Sequence, residues 1–430
     1  MTKHTKPLLL LLLATLLFNS VAVATERIDI ITRQSSYETI IRNIDDTKSL
    51  ICDQTGIPFF IMYIEGVPTL YMITIDLDTV YDFEIFNDTV FFCGVKDNGT
   101  SGYGVLGYFP MAGFPSTTVS YLNVPLFKRV KRIEVGEMSG QTHMVAVGDG
   151  IQGKAELVDA IYLGFSWDMN FFSAENDSIA FTDLAITDTY VVVTGFCAQY
   201  YSVSPARIYY FKKPTSGGTL AYPSIQWIEI EQRSSENIII EACQGDAFVV
   251  ALANGKNEIG KTSFTLVAYD ALSFLSKNSI TEPFSFVRLR DIKYYVPSKS
   301  SELLLYVDDG EFHHSVVYTL TSAMAYGTSI ATGHKYNNVF INSLDWNRDI
   351  NNHFVASANR PKSLANIQFI LYDFSQWGDC LEYAMNEAKK IDYKGRSNFE
   401  DFEYVSYEQN PAMRVAAEKK LNVNNDCTSN

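Results

Sequence analysis

Residues 90–94 read VFFCG, and after a polar turn residues 103–109 read YGVLGYF. The pair is a β-hairpin, because Val, Phe, Leu and Tyr fit a pleated surface and Gly, Asn and Asp mark the turn between the two runs. Other runs of the first kind are FFIMY (59–63), MVAVG (144–148), VVVTG (191–195), FVVAL (248–252), LLLYV (303–307) and FVASA (354–358). With VFFCG they make seven. Each is followed by a partner: TLYMITI from Thr69, AIYLGF from Ala160, RIYYF from Arg207, FTLVAY from Phe264, SVVYTL from Ser315 and FILYDF from Phe369. The spacing is about 50 residues, a period characteristic of repeat architectures. Only the step from the first run to the second is short, at about 31 residues, so the first unit is expected to be completed from elsewhere in the chain.

Several first runs follow another short strand and a tight turn, as in EIFNDTVFF from Glu84, AITDTYVVV from Ala185 and ACQGDAFVV from Ala242. A fourth strand per unit is expected in segments such as SIQWIEI (224–230) and FSFVRL (284–289). One such sheet cannot bury both faces alone, whereas a ring of them can. In architecture the chain resembles the β-propeller superfamily, and lines such as DTVFFCG followed by YGVLGYF are similar to exported, uncharacterised propeller-like proteins of Bacteroidetes-type bacteria. Trp-Asp occurs once, at Trp167-Asp168, out of phase with the units, and the paired glycines of kelch blades are absent. The resemblance implies an all-β fold, a propeller of about seven blades, and carries no functional residue across.

The N-terminus gives the compartment. Lys3 and Lys6 precede the apolar run 8–18, and Ala22 and Ala24 supply a small-residue cleavage pattern. Residues 1–24 are therefore read as a secretory signal peptide, too short to span a bilayer. The mature chain is expected to begin near Thr25, without a transmembrane segment, and to be periplasmic, cell-surface or secreted. Residues 25–377 are expected to form the propeller and 378–430 a short tail. In the tail, 380–390 and 412–421 read as helix-compatible, and 399–407 either stays in the tail or pairs with 28–31 to close the first blade.

The formal net charge is −15. Nucleic-acid binding needs clustered Lys and Arg, and the basic stretch Lys128, Arg129, Lys131, Arg132 alternates with apolar residues as a strand would, so no nucleic-acid partner is expected. The six cysteines are Cys52, Cys93, Cys197, Cys243, Cys380 and Cys427. Export permits disulfides, with Cys380 and Cys427 the preferred pair, while Cys93 and Cys197 fit equally well as buried thiols.

The hairpin loops 96–102, 149–157, 198–206, 254–262, 308–314 and 359–365 are expected on one rim, the usual binding face of a propeller. The loop DDGEFHH (308–314) gathers metal-ligand types. Yet Asp309-Gly310 is a preferred hairpin dipeptide, and successive strand residues such as His313 and His314 point to opposite faces. It reads as a solvated turn, and calcium at Asp76, Asp78 and Asp82 is discounted because the loop lacks the spacing of a calcium hand. No metal and no cofactor is expected. Candidate ligand-binding residues are Tyr200, Tyr201, Asp309, Glu311, His313 and Arg360. No G-x-S-x-G, H-E-x-x-H or phosphate loop occurs. The expected function is a non-catalytic binding module for a glycan, peptide or protein. Two alternatives stand beside it: a polysaccharide hydrolase or lyase with acid and base carboxylates on the ring axis, and a structural component of a surface assembly.

Overall fold

The computed structural model describes residues 26–31, 39–44, 48–53, 58–63, 69–97, 102–112, 117–174, 179–197, 206–221, 223–229, 234–254, 262–273, 275–284, 288–295, 301–308, 313–320, 340–346, 353–359, 366–373, 394–396, 402–409, 412–415, 417–421 and 424–425. Among these the regular structure is all β, and no helix is long and apolar enough to cross a membrane.

After β1 (Glu26–Ile31), a first sheet is formed by β2 (Thr39–Asn43), β3 (Lys48–Asp53), β4 (Pro58–Tyr63) and β5 (Thr69–Thr74). The second holds β6 (Thr79–Phe86), β7 (Thr89–Asp97), β8 (Gly102–Pro110) and β9 (Thr118–Val124). The third holds β10 (Phe127–Met138), β11 (Gln141–Gly150), β12 (Ala155–Tyr162) and β13 (Trp167–Ala174). The fourth holds β14 (Ile179–Ile186), β15 (Tyr190–Cys197), β16 (Ala206–Lys212) and β17 (Ser224–Glu229), and the fifth β18 (Ser234–Ala242), β19 (Ala247–Asn254), β20 (Thr262–Asp270) and β21 (Leu275–Phe284). The sixth consists of β22 (Arg288–Tyr295), β23 (Ser301–Asp308) and β24 (His313–Leu320). The seventh consists of β25 (Phe340–Trp346), β26 (His353–Asn359) and β27 (Asn366–Asp373), with β1 antiparallel to β27 as its fourth strand.

Within each sheet consecutive strands pair antiparallel. The first strands β2, β6, β10, β14, β18, β22 and β25 each lie against the next, and β25 lies against β2. This arrangement is compatible with a propeller.

Alternation along the strands builds the cores. On β7, Val90 and Phe92 face the first sheet, where they meet Leu50, Cys52 and Ile73, while Phe91 and Cys93 face Met144, Ala146 and Trp167 of the third. On β11, Val145 and Val147 pack on Phe181, Val191 and Val193 of the fourth sheet. On β15 and β16, Val192, Ile208 and Tyr210 pack on Ile240, Phe248 and Val250 of the fifth. Both faces of these sheets are buried, which is why their strands read as continuous apolar runs and why the sheets cannot stand singly.

The tail is where the sequence reading needs correction. Residues 412–421 are not helical: β30 (Ala412–Val415) and β31 (Ala417–Leu421) are strands, preceded by β28 (Lys394–Arg396) and β29 (Phe402–Gln409) and followed by β32 (Asn424–Asn425). The edges of the sheets offer unpaired N–H and C=O groups, and pairing with them outweighs local helix preference. The aromatic-acidic segment 399–407 does not meet β1 either. Its described part belongs to β29, which pairs with β13, and β1 joins the seventh sheet. The first sheet is complete without β1, because FFIMY is β4, its third strand, and the true counterpart of VFFCG is β3. That phase error produced the short first step. The segment 284–289 straddles the end of β21 and the start of β22 and so is not a fourth strand. Residues 1–25 and 380–390 lie outside the described residues.

Candidate functional site: the charged cluster on the first strands

A first strand pairs with the second strand of its own sheet on one side only, so its other edge carries main-chain groups that need partners. Carboxylates from the neighbouring first strand supply them. Asp82 on β6 accepts the N–H of Ile133 on β10 (3.3 Å), Asp183 on β14 that of Ile240 on β18 (3.0 Å), Glu241 on β18 that of Tyr294 on β22 (2.9 Å), and Asp345 on β25 that of Asn43 on β2 (2.8 Å). Bulges directly precede Asp82 and Asp183 and recur on other first strands. Register shifts fall between Val80 and Asp82, Val130 and Arg132, Phe181 and Asp183, Leu289 and Asp291, and Ile341 and Ser343, and a bulge re-aims the side chains that follow it.

Cations close the cluster. Arg42 on β2 donates to Glu84 from Nε (2.8 Å) and lies 3.3 Å from Asp82, with its guanidinium 5.6 Å from the Phe83 ring centroid. Lys293 on β22 lies 3.9 Å from Glu84 and 4.0 Å from Glu241. Along the succession of first strands β22 and β6 are separated by β25 and β2, so Lys293 joins strands that are not neighbours. Arg132 lies 3.6 Å from Asp183.

Burial dominates the electrostatics. It raises the pKa of Asp82, against the pull of Arg132 and Arg42, and pushes that of Asp183 up to about 6. Glu134 on β10, half-buried, is raised well above the usual carboxylate range by desolvation first and by Glu84 as a repelling charge, with Lys293 opposing. It sits beside Glu84 and Glu241, which face the basic side chains of Arg42 and Lys293.

No family model matches the chain, and no curated protein matches it.

A second buried polar group joins the third and fourth sheets. His143 Nδ1 lies 2.7 Å from Asp159 Oδ1, both side chains are fully enclosed, and Asp159 Oδ2 accepts from Thr219 Oγ1 (3.1 Å) and the Leu220 N–H (3.0 Å). Closed to solvent on all sides, this pair is a structural clasp, in keeping with the placement of His143 at the head of an apolar strand.

Of the residues singled out by sequence, Tyr200, Tyr201, Asp309, Glu311 and Arg360 lie outside the described residues, as do Cys380 and Cys427. His313 opens β24 opposite Asp308. Cys52 and Cys93 are buried, and neither they nor Cys243 is in a disulfide. The three acids of the 76–82 stretch go separate ways: Asp76 pairs with Lys96, Asp78 accepts the Asp97 N–H (2.6 Å), and Asp82 joins the cluster on the first strands. Among the described residues no group of three or more His, Cys, Asp or Glu is placed to hold a metal.

Sequence reading missed Arg42, Glu84, Glu134, Glu241 and Lys293. For Glu84, Glu134 and Lys293 the signal was present, as charges interrupting the apolar first strands TVYDFEIF, RVKRIEV and RLRDIKYY. At the end of the third sheet opposite its β11–β12 loop, the β12–β13 turn exposes Tyr162, Leu163 and Phe165, the last at 77 %.

Proposed function

We propose that the chain is an exported seven-bladed propeller that works as a non-catalytic binding module, offering a face of the ring to a glycan, peptide or protein. Seven sheets, the unbroken succession of first strands and the N-terminal strand in the last sheet support the ring. The module reading is carried by one observation. Asp82, Glu84, Asp183, Glu241 and Asp345 are each engaged by a backbone N–H or a basic side chain, so the cluster that an axial enzyme would use for acid and base is spent on joining strands. The exposed aromatic turn around Phe165 supplies contact surface of the kind used at interfaces.

Glu134 favours a second reading. A carboxyl whose pKa burial raises, close to other carboxyl groups, is the kind of group a polysaccharide hydrolase or lyase uses as its acid.

The two are separated by a glycan, polysaccharide and peptide binding screen on the mature protein from Thr25, with chain-length analysis of every sugar bound. The module reading expects retention without shortening. Sugar that shortens with wild type and stays intact with Glu134→Gln would replace it with the hydrolase or lyase.

A further inference from the structure

The five tail strands visit the sheets in reverse chain order. β28 pairs with β17 of the fourth sheet, β29 with β13 of the third, β30 with β9 of the second, β31 with β5 of the first, and β32 with β1 of the seventh. All of these pairings are antiparallel, and each adds a fifth strand at the last strand of a sheet that already has four. β1 differs, since the seventh sheet needs it as its fourth strand.

We infer that the outer edges of β17, β13, β9, β5 and β1 form a strand-accepting surface, which the tail of the same chain occupies and which the tail of a second copy can enter in exchange. The recognition is main-chain hydrogen bonding along an open edge, the chemistry of β-strand addition. It is indifferent to whose tail it is. Residues 374–393 separate β27 from β28, so the tail strands join the rest of the chain through a single covalent connection, as in proteins that exchange an element between copies. Tethering gives the chain's own tail the advantage of high effective concentration, and exchange therefore grows with protein concentration.

The test uses the full chain with a protease site inserted after residue 380 and cut once folded. A fluorescent synthetic peptide spanning 394–425 is then added and its uptake followed by anisotropy and native mass spectrometry. One labelled peptide per cut chain is expected. A peptide with Val405→Pro and Ser406→Pro should bind at least about tenfold more weakly, because one of two consecutive N–H groups faces the partner strand. No uptake, or equal uptake of both peptides, would overturn the inference. In parallel, uncut chains of normal and 15N-labelled protein are mixed at high concentration, so the conclusion does not rest on the cut protein staying folded. Mixed dimers whose share rises with concentration support exchange, and monomers alone at every concentration contradict it.

Discussion

Asp183 holds two strands together with a group that burial makes costly to ionise. Its Oδ2 accepts the Ile240 N–H and its Oδ1 the Leu184 N–H, yet its pKa sits at about 6. In the unfolded chain an aspartate titrates near 4. Between about pH 4 and 6 the folded protein thus keeps a proton that the unfolded chain has released, and linkage makes stability fall as pH rises through that window. Asp82 and Glu134 are displaced in the same direction. Asp183→Asn keeps an acceptor for Ile240 and removes the titration. Urea midpoints measured from pH 4 to 7 should therefore fall less steeply for Asp183→Asn than for wild type, and parallel profiles would show that burial does not govern this carboxyl. The charges on the first strands were visible in the sequence as interruptions of apolar runs. Their meeting was not, because it joins residues as far apart as Glu84 and Lys293 through the order of sheets and not through any local pattern.

The hairpin is the element that recurs, and the glycine closing its first run has a physical reason. Gly94, Gly148 and Gly195 stand opposite Val80, Val130 and Phe181, the residues just before the bulges of β6, β10 and β14. There the bulged strand leans in. A Cβ on Gly148 would lie 2.2 Å from the Arg129 carbonyl oxygen, and one on Gly195 would lie 2.6 Å from that of Ala180. Backbone cannot retreat as a side-chain tip can, so Gly148→Ala should cost about 3 kcal/mol in chemical denaturation. Gly136→Ala, which would meet only the flexible end of Ile186 at 3.4 Å, should cost well under about 1 kcal/mol. Equal losses would mean that the bulge does not set the requirement. Hairpins of this kind were legible because residue type, turn chemistry and period agreed. The phase of the first unit was not, since a strand buried on both faces reads alike in the second and third positions. The tail strands were hidden for another reason: AMRVAAEKKL has no apolar alternation, and its pairing with β9 and β5 runs through main chain.

At the scale of the whole molecule, the two ends of the chain meet. β1 lies between β27 and β32, with Ile28 opposite Phe369 on one side and Asn425 on the other, so the strand that follows the expected leader completes the last sheet. Closure of this kind removes the open edges a row of sheets would leave, and it is what allows charges from distant strands to gather where the first strands converge. The contact of Lys293 on β22 with Glu84 on β6 depends on it. The most direct measurement is oxidation of the double variant Ile30→Cys with Ile367→Cys, positions that face each other across β1 and β27. Directly opposed strand residues lie within disulfide reach. Peptide mapping by mass spectrometry should find the 30–367 bridge within single chains, with the melting temperature raised. Failure to form it in the folded monomer, or a bridge from residue 30 to a cysteine of another sheet, would contradict the proposed ring.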